Sequence, residues 1–199
     1  MAAKIGVIGA GRVGATVAYT LMLSGLVSEI VIIDVDRARA EGEAMDLADG
    51  TAFTGPVRVY PGDYADLAGA DIVVFCAGAS QRPGESRLDL LQRNINVVRE
   101  VVGRLLRYWR GGTLLMVSNP VDALTYAAFK LSGLPSGSVL GSGTVLDSAR
   151  FRHLLSLHAR TDVRNVHAYV IGEHGDSEVL LWSKATIAGV GIDEFCRRR

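Results

Sequence analysis

An excess of charge of either sign is missing from this sequence: 21 Lys and Arg balance 21 Asp and Glu. A chain without net charge has no electrostatic reason to seek nucleic acid or an anionic membrane surface. Cysteine is scarce as well. Cys76 and Cys196 cannot make a disulfide framework, and Cys76, inside Ile72-Val73-Val74-Phe75-Cys76, reads as a buried reduced thiol. No apolar run is long enough to cross a bilayer, and Lys4 leads straight into a strand and a glycine turn, which is not the pattern of a secretory leader. No nucleic acid, no membrane and a cytoplasmic location are the expectations. Lysine occurs only at Lys4, Lys130 and Lys184, so arginine carries nearly all the positive charge. What the chain does have is apolar material: 49% of 199 residues, enough for one large domain or for one domain and part of a second.

Strand-like and helix-like segments alternate from the start. Ile5–Ile8, Glu29–Ile33, Val57–Tyr60, Ile72–Cys76, Leu114–Val117 and Val139–Leu140 read as strands. Val13–Leu23, Arg37–Ala48, Asp89–Tyr108 and Asp122–Leu131 read as helices. This βαβα order predicts an α/β fold, a doubly wound parallel sheet covered by helices, over residues 1–142. A composition change near Gly141 opens a second, incomplete α+β domain over 143–199. There a helix (Leu146–Ser156), a strand (Val166–Ile171) and a glycine-rich turn (Gly172–Gly175) are expected.

Gly9-Ala10-Gly11-Arg12-Val13-Gly14 follows a strand and opens a helix, and Asp34, 20 residues after Gly14, ends the next strand. This is the arrangement of a Rossmann-type dinucleotide site. Gly9 permits the tight turn, Gly11 lets the backbone approach a pyrophosphate, and Gly14 lets helix and strand pack closely. The helix N-terminus supplies amide donors and a favourable dipole. Asp34 accepts from a ribose 2′-hydroxyl and repels a 2′-phosphate, which favours NAD over NADP.

Four further segments stand out: Ala77-Gly78-Ala79-Ser80-Gln81-Arg82-Pro83-Gly84-Glu85-Ser86-Arg87, Ser118-Asn119-Pro120-Val121-Asp122, Gly143-Thr144-Val145-Leu146-Asp147-Ser148-Ala149-Arg150-Phe151-Arg152, and Ile171-Gly172-Glu173-His174-Gly175-Asp176. Together, and in this order, they resemble the motifs of the lactate/malate dehydrogenase family. The resemblance implies reduction of a 2-oxo acid or its reverse. His174 would be the proton donor and acceptor, suited by an unperturbed pKa near neutrality, and Asp147 would orient it. Arg150 would grip the substrate carboxylate with its planar fork. Arg87, beyond a mobile lid, would polarise the carbonyl. Asn119 and Asp122 would help bind substrate. The cofactor would be held by Gly9, Gly11, Val13, Gly14, Asp34, Arg39, Tyr64, Gly78, Ala79, Val117, Ser118, Asn119 and Ser142. No metal is implied.

Within the family, malate-type members place an arginine where this chain has Gln81. A neutral side chain cannot compensate a second carboxylate, so pyruvate and L-lactate are favoured over oxaloacetate. Arg82 is the complication, since a one-residue shift would exchange the roles; malate chemistry is the alternative. Arg152 and His167 match positions that bind fructose 1,6-bisphosphate in allosteric bacterial members, and the resemblance further implies a homotetramer. Family members continue well past residue 195. The ending Cys196-Arg197-Arg198-Arg199 departs from the helix expected there, so the sequence reads as C-terminally truncated, with an altered reading frame as one origin. A non-catalytic NAD-binding fragment is therefore a further alternative.

Overall fold

The computed structural model describes residues 3–79, 84 and 86–197. The chain divides into two compact units at Gly141/Ser142.

The first unit is built on six strands: β1 (Ala3–Ile8), β2 (Val27–Ile33), β3 (Arg58–Pro61), β4 (Ile72–Phe75), β5 (Thr113–Met116) and β6 (Val139–Gly141). They form one all-parallel sheet in the order β3-β2-β1-β4-β5-β6. Its helices are α1 (Arg12–Ser24), α2 (Arg37–Gly50), α3 (Arg87–Leu105) and α4 (Val121–Ser132). Side chains alternate across each strand, and the two faces have separate cores. Ile5, Val7, Ile30, Ile32 and Val74 pack with Ala18, Met22, Ala40, Ala44 and Leu47 of α1 and α2. On the other face Ile8, Val31, Val73, Phe75, Leu114 and Met116 pack with Val98, Val102 and Leu105 of α3 and Leu124 and Ala128 of α4. A sheet covered on both faces needs continuous apolar strands, which is why Ile30–Ile33 and Ile72–Phe75 carry no polar residue. The strand order reverses between β1 and β4, so their C-terminal ends leave a crevice of the kind that binds ligands in such folds.

One polar anchor crosses the second core. Trp109 is almost fully buried, and its indole N–H donates to the Ala70 carbonyl at 2.7 Å. Trp109→Phe keeps most of the packing but orphans that carbonyl. The expected loss is about 1–3 kcal/mol, read from the midpoint of urea unfolding; an unchanged midpoint would show the bond to be dispensable.

The second unit contains α5 (Val145–Ala159), short strands β7 (Val166–His167), β8 (Val170–Ile171), β9 (Val179–Leu180), β10 (Thr186–Ile187) and β11 (Val190–Gly191), and α6 (Ile192–Arg197). Phe151, Leu155 and Ala159 of α5 pack on Val166, Ala168, Val170, Ala185 and Ile187. The single strand expected over Val166–Ile171 is two. β7 pairs with β10, whereas β8 pairs with β9 in another sheet. In–out alternation runs unbroken from Val166 to Ile171, so the side-chain pattern is that of one strand while the backbone changes partners at Ala168-Tyr169.

Candidate active site

The first candidate site lies where β1 hands over to α1. Gly9 adopts φ +104°, and a Cβ there would lie 2.6 Å from the Ala77 nitrogen. Gly14 sits so close beneath the turn that a Cβ would run into the Gly9 carbonyl oxygen. Gly11 differs: a Cβ there meets nothing within 4 Å. The protein's own packing thus explains Gly9 and Gly14, while Gly11 keeps space clear for something else. No side chain caps the start of α1 and its first turn has no acidic residue, so its amides suit a phosphate group. Asp34 stands beside this turn, its Oδ2 accepting from the Ala10 N–H at 2.6 Å and its Oδ1 from the Asp36 N–H at 2.9 Å. A carboxylate has further lone pairs for a ribose hydroxyl. These features fit an adenine dinucleotide.

An adjoining cleft of about 250 Å³ gathers Val13, Gly78, Ala79, Val117, Ser118 and Asn119, together with Cys76, Leu90 and Asn94. Leu90 and Asn94 escaped the sequence reading, and Cys76, expected only as a buried thiol, is free and half-buried in this wall. Asn94 is buried. Its Oδ1 accepts from the Ala79 N–H at 2.8 Å and its amide donates to the Asn119 carbonyl at 3.0 Å, which ties two walls of the cleft together. A signal existed, since Asn94 interrupts the apolar stripe of Leu90, Leu91, Val98, Val101 and Leu105 on α3. Burial pushes the Cys76 thiol up to about 11, so this wall is neutral. The Asn119–Pro120 bond is cis, and Asp122 lies in the first turn of α4. Arg39 is exposed beside Asp36 at 3.9 Å. Tyr64 is buried with the Arg104 guanidinium 4.4 Å from its ring centre. Gln81 and Arg82 lie outside the described residues, as does the Arg87 side chain. The Arg87 backbone begins α3, behind a capping box formed by Ser86 and Asp89.

The second candidate site is in the second unit, where α5 faces the turn after β8. His174 Nδ1 and Asp147 Oδ2 are 2.5 Å apart, and Asp147 Oδ1 accepts from Arg150 Nη1 at 3.0 Å. Asp147 is 9% exposed, His174 27% and Arg150 62%. Burial opposes ionisation of the Asp147 carboxyl, but the hydrogen bonds and charges of His174 and Arg150 together outweigh it and hold it below the usual carboxylate range. The arrangement is a buried anion orienting an imidazole, beside an arginine whose guanidinium reaches solvent. Glu178 comes close enough that Asp147, His174 and Glu178 could offer ligand atoms to a cation within 4.8 Å of one another. Two of those three groups already engage each other directly.

Arg152 donates from Nε to the Ala168 carbonyl at 2.8 Å, and its guanidinium lies 4.8 Å from the centre of the Tyr169 ring. His167 is exposed on β7 and Ser142 is half-buried at the start of the unit. Among the described residues no helix is long and apolar enough to cross a membrane.

Comparison with known proteins agrees with both halves. Residues 3–141 match the lactate/malate dehydrogenase NAD binding domain, and residues 144–199 match the α/β C-terminal domain of the same family. An L-lactate dehydrogenase of Acetivibrio thermocellus is 57% identical over 193 residues, which is 97% of this chain and 61% of that protein. A lactate dehydrogenase from a Medee basin deep-sea metagenome library superposes with a TM-score of 0.96 at 44% identity, over 100% of this chain and 63% of that one. The malate dehydrogenase of Picrophilus torridus follows at 0.93 and 36%, over 98% and 62%. The chain therefore spans about three fifths of the length of the relatives it matches. Its first unit is an NAD-binding Rossmann domain, and the chain belongs to the lactate/malate dehydrogenase family.

Proposed function

We propose that this chain carries the cofactor-binding and proton-transfer residues of an NAD-dependent L-lactate dehydrogenase. The observation that carries the reading is the Asp147–His174 pair with Arg150 on the same carboxylate. NAD, held by the Gly9–Gly14 turn and Asp34, supplies or accepts the hydride. Asp147 engages Nδ1 of His174, so Nε2 is the nitrogen that exchanges a proton with the substrate oxygen, and Asp147 stabilises the imidazolium. Arg150, mostly exposed, binds the substrate carboxylate. Arg87 stabilises charge on the carbonyl oxygen, Asn119 and Asp122 complete the substrate site, and neutral Gln81 disfavours a second carboxylate. Arg39, Tyr64 and Ser142 contact the cofactor.

Pyruvate over oxaloacetate is favoured by Gln81 and by solved lactate dehydrogenases at 44% and 47% identity against 36% for the malate dehydrogenase. Arg152 and His167 would answer to fructose 1,6-bisphosphate, in a homotetramer. The test is NADH oxidation by the purified chain with pyruvate and oxaloacetate in parallel, repeated across a fructose bisphosphate titration. Oxidation preferring pyruvate is expected. Preference for oxaloacetate would make the protein a malate dehydrogenase, and NADH binding without turnover would make this chain a cofactor-binding module. A flat response to the sugar phosphate would remove the regulatory site.

A further inference from the structure

The turn that carries His174 is fed by β8, whose outer edge has an unusual partner. Val170 pairs with Leu180 across the β8–β9 ladder, while the Leu181 N–H donates to the Tyr169 carbonyl at 2.9 Å. In an antiparallel ladder, alternate residues turn both backbone groups away from the neighbouring strand. Those of Val170 point instead to side chains at the start of α5. Its N–H donates to Ser148 Oγ at 2.9 Å; its carbonyl accepts from Thr144 Oγ1 at 2.7 Å and from Ser148 Oγ at 3.4 Å. Two hydroxyls thus stand where a further strand would.

Both residues depart from their ordinary use. Ser148 is buried on the stripe it shares with Phe151, Leu155 and Ala159, where an apolar side chain would serve packing better. Thr144 occupies the N-cap position of α5, yet its side chain makes no cap bond, although capping is what threonine normally does there. Both hydroxyls are given over to the backbone N–H and C=O of one residue, Val170. Ser148 is also the neighbour of Asp147 in the chain, and Val170 precedes His174 by only four residues. One turn of α5 therefore grips the strand with one residue and the imidazole with the next.

We propose that Ser148, seconded by Thr144, is a positioning residue that holds β8 against α5 so that His174 presents Nδ1 to Asp147. The inference rests on reading His174 as the proton carrier. An apolar residue at position 148 leaves the Val170 N–H without its partner; the strand shifts to find water, and the shift passes to His174 through Ile171, Gly172 and Glu173.

The readout is the tautomer of His174, which reports the contact directly, because a carboxylate at Nδ1 fixes the ring proton there. It is measured from side-chain nitrogen shifts in the full chain labelled with ¹⁵N-histidine, at a pH where the imidazoles are neutral. His174→Asn assigns the signal. Wild type is expected in the Nδ1–H form, with Asp147→Ala setting the other end of the scale. Ser148→Ala should move at least half that distance, and Ser148→Thr, which keeps the hydroxyl, should stay with wild type. Ser148→Ala with the wild-type tautomer overturns the proposal. Should Ser148→Ala not fold, the near-isosteric Thr144→Val at its half-buried site decides: a partial move supports the proposal and none overturns it. An unmoved tautomer in Asp147→Ala would show that Asp147 does not fix the ring proton and would overturn the proposal, whereas the proton-carrier reading falls only if His174→Asn keeps its kcat.

Discussion

Gly14→Ala is expected to destabilise the first unit severely, whereas Gly11→Ala leaves its stability almost unchanged and weakens its hold on the cofactor. The two substitutions add the same methyl group three residues apart, and the turn decides what each methyl meets. At Gly14 it lands on the Gly9 carbonyl oxygen, a backbone atom that cannot swing aside. Moving it means moving Gly9, which is itself pressed against the backbone of Cys76 and Ala77. The strain spreads into β1 and β4 at the centre of the sheet, so the loss should reach about 4 kcal/mol or more, a large share of a typical stability of roughly 5–15 kcal/mol. At Gly11 the backbone is extended, with φ −72°, and the methyl meets no protein atom. Folding should change by about 1 kcal/mol at most, the usual cost of a poorer cap. NADH affinity should fall at least about tenfold, equivalent to about 1.4 kcal/mol. Thermal melts and NADH fluorescence titrations separate the two effects. A Gly14→Ala melt at the wild-type temperature would contradict the packing, and a Gly11→Ala titration like wild type would move the pyrophosphate elsewhere.

Removing the ring from the second site should be as damaging to chemistry as Gly14→Ala is to folding. On the proposed function, His174→Asn is expected to lower kcat for pyruvate reduction by about 10²–10⁴, the usual worth of a positioned general acid. Its NADH affinity should be unchanged, because the cleft is made by residues of the first unit. Asp147→Asn should approach the same loss, since the amide neither stabilises imidazolium nor fixes the ring proton. A kcat within tenfold of wild type in His174→Asn would end the proton-carrier reading. Asp147 has a second signature. Its folded-state ionisation lies below the usual range, so it contributes stability that is whole above its unfolded value of about 3.9 and is lost as the pH falls through the folded one. Asp147→Asn removes that part of the acid sensitivity.

The glycine turn and Asp34 were legible because their meaning lies in short spacings along one strand–turn–helix, where covalent geometry does the folding. The helices and parallel strands were legible for the same reason, with ends adjusted by a few residues. The break inside Val166–Ile171 was not, since alternation reports which way side chains face and not which strand the backbone chooses. Asn94 and Ser148 were passed over on related grounds. Each is one polar residue on an apolar stripe, and its partners lie 15 and 25 residues away for Asn94 and 22 for Ser148. The Asp147–His174 contact was expected because the resemblance paired the two residues, and a spacing of 27 residues alone would not have suggested it.

The strand order has a consequence for how the chain is made. β1 is made before the other strands of its sheet and ends in the middle of it, with β2 on one side and β4 on the other. Its first edge closes as soon as Val27–Ile33 appear. Its second waits for Ile72–Phe75, and the Lys4 N–H finds its acceptor on Asp71 only across 67 residues. Throughout that interval Ile5, Val7 and Ile8 border an unpaired edge, the feature that invites pairing with other chains. The nucleotide turn, whose Gly9 rests on Cys76 and Ala77, can take its final shape only when that wait is over. A half-made chain is thus both sticky and unable to hold its cofactor, and the two conditions end together.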